Sequence, residues 1–500
     1  MSANYIGVDI GTSSSKGVLV SDGTVVASAT REHSVQRPHP QHVEMDARVW
    51  WDEFVSITRE LVAISPVPVE AVGVSGMGPC VAVADGNGSP LRPAILYGID
   101  TRAVEQIATL NRELGQGAIV ETCGSALSTQ SAGPKLLWIS ENEPEIAART
   151  RTFFMPSSWL VWHLTGEYVL DHHSASQCTP LYDTRSLTWI EPRVERVLPG
   201  LRLPALCWPG EIAGTVTGDA ARETGLPEGT PVIAGTIDAW TEAVSVGAHH
   251  PGDLMLMYGT TMFLVNTTAE RVTSDVLWGT VGAFPGSYSL AAGMATSGAI
   301  TGWSRELFGS PPFETLLNEA DAAGPGSNGL LMLPYFSGER SPLSDPDARG
   351  TIAGLTVSTT RGDLYRASLE ATALGVRHNL QALAATGGEV TRAIAVGGGT
   401  QGDLWTQIVS DVTGLEQLLP TVTIGASFGA AMLAAQATEG ADIDAWNPPQ
   451  RVVTPREELG TFYNELFRLY RGLYDQTRDV THELVALRSI KANFDNAPFG

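Results

Sequence analysis

The chain has 500 residues, of which 43% are hydrophobic and 17% charged, and its formal net charge is -23. That length exceeds one ordinary domain and fits about two to four. So acidic a chain disfavours nucleic acid or an anionic membrane as a standing partner, because phosphate backbones demand Lys- and Arg-rich faces, whereas a small anionic ligand stays open, since a few local donors can hold one.

The cysteines, Cys80, Cys123, Cys178 and Cys207, form no CxxC pair. A zinc ribbon or a thioredoxin-type site is therefore not expected, and a chain of this size needs no disulfide scaffold. The N-terminus, MSANYIGV, enters a strand with no basic region followed by an apolar one, and no uncharged run is long enough to span a bilayer. The expectation is a cytoplasmic protein with reduced thiols.

Residues 5–10 and 17–20 are β-rich runs around a Gly/Thr/Ser turn and predict a hairpin. Residues 24–29 predict a third strand. Asp46 then stands as N-cap before a helical pattern over 47–64. VEAVGVSG (69–76) and CVAVAD (80–85) predict two more buried strands, and alternating strands and helices argue for an α/β architecture. The stretch 101–230 is richer in helices, with amphipathic patterns in GPKLLWISENEPEIAART and PSSWLVWHLTGEY. Over 230–248 follow a buried strand, a Gly-Thr turn and a helix starting near Asp238.

Residues 252–270 repeat the opening grammar: an apolar strand, Gly259-Thr260-Thr261, and a second apolar strand. Two such tips far apart suggest a related pair of halves, here 1–247 and 248–487. In the second half, 392–414 predicts a strand, a glycine triplet and a helix. Residues 426–438 predict a helix rich in small residues, and 456–487 a long terminal helix or helix pair. Residues 488–500 lack periodicity and are expected to be loose.

Phosphates are held by convergent backbone N–H groups, hydroxyls and a cation. Gly11, Thr12, Ser13, Ser14, Ser15 and Lys16 offer all three, although a solvated hairpin tip would look the same. Asp9 beside them suits a hydrated Mg²⁺. The turn is neither GxxxxGK[ST] nor GxGxxG. Asp238 reads as an N-cap or as a general base toward a hydroxyl attacking a γ-phosphoryl. Gly397-Gly398-Gly399 allows close backbone approach to a flat ring or ribose, or is a plain strand-to-helix turn. His172-His173 and His249-His250 are adjacent pairs. Sequence neighbours point apart, so these predict surface or cap roles rather than metal sites.

With these pieces in order, the sequence resembles the FGGY carbohydrate kinases over about residues 4 to 485. The most specific match is GTIAGLTVSTTRGDLYRASLEA, carrying Gly350, Gly354, Leu355, Asp363, Ala367, Ser368 and Glu370, preceded by LPYFSGERSPLSDPDARG. GPKLLWISENEP is similar to the family's first signature around Lys135 and Trp138, with Ala132 where Pro, Ser or Thr is usual.

The resemblance implies two ribonuclease-H-like domains of the actin-like ATPase type flanking a nucleotide/sugar cleft. It implies ATP and Mg²⁺, a small sugar as partner, neither nucleic acid nor membrane, and leaves a homodimer possible. Asp238 falls on the catalytic base. Thr12, Ser13 and Lys16 fall on the first phosphate loop, with Asp9 near the metal through water. Thr260 and Thr261 fall on the second phosphate loop, Gly298 and Gly302 near the nucleotide, and Gly398, Gly399 and Asp403 on the adenosine site. On the sugar side, Met77, Gly78, Asp100 and Asp238 are the expected contacts.

There the chain departs from its relatives' pattern. SGMGPC puts Gly78 and Pro79 where xylulokinase-like members carry polar residues, and the loop LYGIDTRA is one residue longer than usual. Each hydroxyl left without its donor costs on the order of 1–3 kcal/mol. A ketopentose such as xylulose is the leading substrate expectation. Gluconate, ribulose or a tetritol are alternatives within the class, and a sugar-independent actin-like ATPase is the alternative outside it.

Overall fold

The computed structural model describes residues 3–495. The chain packs as two compact units, each discontinuous in sequence. The first takes the chain up to Gly252 together with Thr267–Leu290 and Thr421–Pro448, and the second takes Asp253–Asn266, Ala291–Pro420 and the chain from Pro449.

The first unit is built on a sheet in the order Ile212–Thr215, Pro231–Ile233, Val69–Gly76, Asn4–Ile10, Ser14–Ser21, Thr24–Glu32, with Thr236–Ile237 also pairing Val69–Gly76. Val69–Gly76 runs parallel to Asn4–Ile10 and to Thr236–Ile237. All its residues but Glu70 are buried, as expected of a parallel strand covered on both faces. Ile6 and Val8 join the core cluster that holds Trp50 and Phe54 of helix Ala47–Ile64. Tyr5 joins the one that holds Phe428 and Ala431 of helix Ala426–Glu439. The period-2 alternation of the strand thus divides it between the two layers.

The small residues of that second helix serve close approach. A Cβ on Gly7 would stand 1.9 Å from the Ser427 carbonyl oxygen, and one on Gly73 1.9 Å from that of Ala430.

Several local expectations hold in detail. Asp46 caps Ala47–Ile64 by accepting from the Arg48 amide at 3.0 Å. The two opening strands pair antiparallel. Others differ. The GPKLLW pattern forms two helices, Ala132–Asn142 and Pro144–Arg149, because Pro144 starts a new one. CVAVAD supplies only the short strand Ala82–Ala84.

The second unit carries a sheet in which Tyr288–Met294, Met262–Thr268, Asp253–Tyr258, Arg392–Val396, Gln417–Pro420 and Pro449–Val453 follow one another. Asp253–Tyr258 and Met262–Thr268 form the second hairpin, parallel on its other edge to Arg392–Val396. The longest buried element is helix Arg361–Thr386, opened by a capping box of Thr360 and Asp363. It buries Arg366 against Glu370 at 3.0 Å, and the Tyr463 hydroxyl donates to the same carboxylate at 2.9 Å.

The terminal helix runs unbroken over Gly460–Asp495. Residues 488–495, expected to be loose, therefore continue it, since no proline intervenes. Residues 496–500 of that segment lie outside the described residues. Among the described residues, no helix is long and apolar enough to cross a membrane, and the cysteines are free, with Cys80, Cys123 and Cys178 buried.

Candidate active site

Three parallel strand ends of the first unit converge. Asp9, Ser75 and Thr236 lie in one row across the sheet, Asp9 beside Ser75 and Ser75 beside Thr236. Open α/β sheets bind ligands at the carboxyl ends of their strands. Asp238 follows two residues after Thr236 as the first residue of helix Asp238–Ser245. It is not the N-cap, which is Ile237. Among the described residues, its Oδ1 accepts only from the amide of Ala239, at 2.8 Å. Ser75 Oγ donates to Thr241 Oγ1 at 3.1 Å, tying the row to that helix.

Asp238 is joined by Glu242, one turn along the same helix, and by Asp9. Burial pushes all three carboxyls above the ordinary carboxylate range. The charge of Asp238 raises Asp9 further and helps carry Glu242 to about 7, while Lys16 opposes both shifts. Among the described residues, Asp9 Oδ1 is buried and has no hydrogen-bond partner. A carboxylate oxygen left so, beside two further acids, suits a hydrated divalent cation, which brings charge and water donors together. Glu242 escaped the sequence reading. Its spacing of four from Asp238 was the available signal, and burial on the same helix face is what gives that spacing meaning.

The opening turn is a tight tip. The Gly11 amide donates to the Ser14 carbonyl at 3.1 Å, and His33 Nε2 lies 3.0 Å from the Gly11 carbonyl with its Nδ1 2.9 Å from Glu53. Ser13 and Lys16 are exposed and Thr12 is half-buried. Thr12 Oγ1 lies 2.9 Å from the Tyr97 hydroxyl, so the tip is tied to the loop LYGIDTRA.

That loop is braced from residues 129–135. The Gly98 amide donates to Gln130 Oε1 at 3.0 Å, Thr129 Oγ1 donates to the Gly98 carbonyl at 3.1 Å, and buried Lys135 Nζ donates to the Thr129 carbonyl at 2.7 Å. Burial pushes that lysine down to about 8.

Asp100 was expected to face the sugar. Its carboxylate is instead buried and engaged, accepting from the Val43 amide at 2.6 Å and from Arg102 Nη2 at 2.6 Å, so it organises the loop. The Met77 side chain belongs to the apolar core, leaving only its backbone for a ligand. At Gly78 a Cβ would meet the Ile237 side chain at 2.6 Å, which accounts for the missing polar side chain there.

The second unit holds a cavity of about 1120 Å³. Gly398, Gly399, Asp403, Gly298 and Thr260 line it, whereas Gly302 and Thr261 are not among its lining residues. The Gly298 amide donates to the Gly259 carbonyl at 3.0 Å, so this glycine serves backbone contact rather than offering a donor. Asp403 pairs with Arg451 at the wall. Tyr365, Phe313 and Asn318 complete the lining. They lie outside any glycine motif, and the fold alone gathers them.

Residues 4–245 match the N-terminal domain and residues 254–438 the C-terminal domain of the "FGGY family of carbohydrate kinases". The chain belongs to that family. The kinase is similar to the xylulose kinase of Escherichia coli (strain K12), 30% identical over 439 residues, covering 86% of this chain and 89% of that one. It is similar to glycerol kinase 2 of Streptomyces coelicolor, 30% identical over 466 residues and 88% of each chain. The crystal structure of xylulose kinase from Rhodospirillum rubrum matches with a TM-score of 0.89 at 32% identity, covering 96% of this chain and 100% of that one. The kinase thus has the two-domain α/β fold of actin-like ATPases and is a phosphotransferase with an alcohol acceptor on a small sugar. Kinases of this family use ATP and a divalent metal.

Proposed function

We propose that this kinase transfers the γ-phosphoryl of ATP to a hydroxyl of a small ketopentose, xylulose-like in its stereochemistry, with Asp238 as the base. The observation that carries the reading is the placement of Asp238. It stands at the carboxyl end of the sheet, with one oxygen engaged only by the neighbouring amide and a proton affinity raised by burial. A carboxylate so placed accepts or orients the proton of an attacking hydroxyl. The relatives named as xylulose kinases favour a ketopentose.

Thr12, Ser13 and Lys16 hold the terminal phosphates, with Lys16 countering the charge of the transferred group. In the second unit, Thr260 and Thr261 act on nucleotide phosphate, and Gly398, Gly399 and Asp403 hold the adenosine. Asp9, through water, and its neighbouring acids hold Mg²⁺, which supplies charge neutralisation on the phosphates. Met77 through its backbone, Gly78 and the Asp100-organised loop shape the sugar pocket.

A coupled ADP-release screen over ketopentoses, sugar acids, tetritols and glycerol tests the reading. The highest kcat/KM is expected for a ketopentose. A preference for gluconate or glycerol would replace the substrate assignment, and ADP release indifferent to every sugar would remove the acceptor altogether.

A further inference from the structure

His249 and His250, expected to diverge, instead converge. Their rings lie with centroids 4.4 Å apart at 40°. Both reach one carboxylate across 194 residues of chain: His249 Nε2 is 3.2 Å from Asp444 Oδ1 and His250 Nε2 is 3.0 Å from Asp444 Oδ2. Ligand atoms of the three residues all lie within 4.8 Å of one another. All three belong to the first unit. His249 also packs its ring on Phe284 at 5.0 Å, which fixes its orientation.

Two ligands at about 2.0–2.2 Å from a tetrahedral ion stand about 3.3 Å apart. The two N···O separations, 3.2 and 3.0 Å, lie just short of that edge. Two imidazoles and a carboxylate are a borderline-soft donor set that selects Zn²⁺, Co²⁺, Ni²⁺ or Cu²⁺ over Mg²⁺ and Ca²⁺.

We propose that His249, His250 and Asp444 form a divalent transition-metal site, separate from the phosphoryl-transfer residues. The ion takes Nε2 of each neutral imidazole and one or both oxygens of Asp444, with water completing its coordination on the exposed side. It replaces two hydrogen bonds with two metal–nitrogen bonds, and it ties the turn after helix Asp238–Ser245 to the 3₁₀ turn Ile443–Ala445.

The test is Zn²⁺ titration of the chelator-treated full chain by calorimetry, with Co²⁺ absorption spectra as a second readout. Wild type, His250→Ala, Asp444→Asn and Asp238→Asn are compared in excess Mg²⁺ to occupy the oxygen sites. Wild type and Asp238→Asn are expected to bind one Zn²⁺ with the same affinity and to show the intense visible bands of four-coordinate Co²⁺. His250→Ala and Asp444→Asn should bind at least roughly tenfold more weakly, lose the Zn²⁺-dependent rise in melting temperature, and keep kcat with Mg²⁺. Equal Zn²⁺ binding in wild type and His250→Ala overturns the site, as does the absence of any Zn²⁺ binding to wild type in the presence of Mg²⁺.

Discussion

Asp9 and Lys16 are direct cross-strand partners in the hairpin that opens the chain. The two side chains face each other on one side of the ladder, the acid with an oxygen buried and unpartnered among the described residues and the ammonium exposed. Lys16 works against the upward push on Asp9 and Glu242. The pair puts a cation beside an acid that burial alone would neutralise.

Replacing Lys16 with Met should therefore act on the chemical step. Loss of one charge-stabilising donor at a transferring group costs about 10²–10³ in kcat. Steady-state kinetics on the best acceptor should show that loss in kcat, with a smaller rise in KM for ATP. A Lys16→Met enzyme with near-normal kcat would exclude the residue from phosphate handling.

Asp238→Asn should abolish phosphorylation and leave ATP affinity within a few fold, because the substitution keeps the shape and removes the base. Near-normal turnover would sink the assignment. The same variant should be more stable than wild type at pH 8. The folded-state pKa of Asp238 is raised, so its contribution to stability is fully present below the unfolded value and is lost as pH rises through the folded one. The amide escapes that loss, worth on the order of 3 kcal/mol for a rise from 3.8 to about 6. Thermal melts should show the gain at pH 8 and its disappearance near pH 4.

Activity should follow the opposite sign. The ionised carboxylate is the working form of a general base, so kcat/KM should fall on acidification, with a limb near pH 6, above the ordinary aspartate range. A profile flat from pH 5 to 8 would contradict that role.

The Thr12–Tyr97 hydroxyl pair, at 2.9 Å, ties the phosphate tip to the loop at residues 96–103. Removing one neutral hydrogen bond costs about 1 kcal/mol, so Tyr97→Phe should lower kcat about fivefold, and Thr12→Val, which also removes a phosphate contact, by more. The double mutant should lose little more than Thr12→Val alone. Simple additivity in that cycle would show that the bond carries no catalytic coupling.

Two glycines separate packing from binding. Gly73→Ala puts a methyl 1.9 Å from the Ala430 carbonyl oxygen, and such overpacking should cost at least about 1–3 kcal/mol by denaturant titration. At Gly398 an added Cβ meets nothing within 4 Å, yet the residue lines the cavity of the second unit. Gly398→Val should keep its stability and raise KM for ATP. An unchanged KM would take this glycine out of the nucleotide site.

What the sequence determined by itself is local. The two hairpins, the Asp46 cap, the strand Val69–Gly76 and the start of the helix at Asp238 follow from period-2 and period-3.6 patterns and turn chemistry within a few residues. So does the family, because its signatures are contiguous.

Only the tertiary structure decided the rest. Helix Arg361–Thr386 carries no clear apolar stripe, because it is buried on several sides, with Arg366 and Glu370 satisfying each other inside. Residues 267–290 and 421–448 return to the first unit, and the second of these segments is seated by glycine-lined contact between helix Ala426–Glu439 and the strands at Gly7 and Gly73. Asp100 is held in its loop because Val43, more than fifty residues earlier in the chain, donates to it. His249 and His250 acquired a common partner only because Asp444 folds back to them. In each case the deciding group lies tens to hundreds of residues away, where chain connectivity carries no signal and burial and hydrogen-bond satisfaction do.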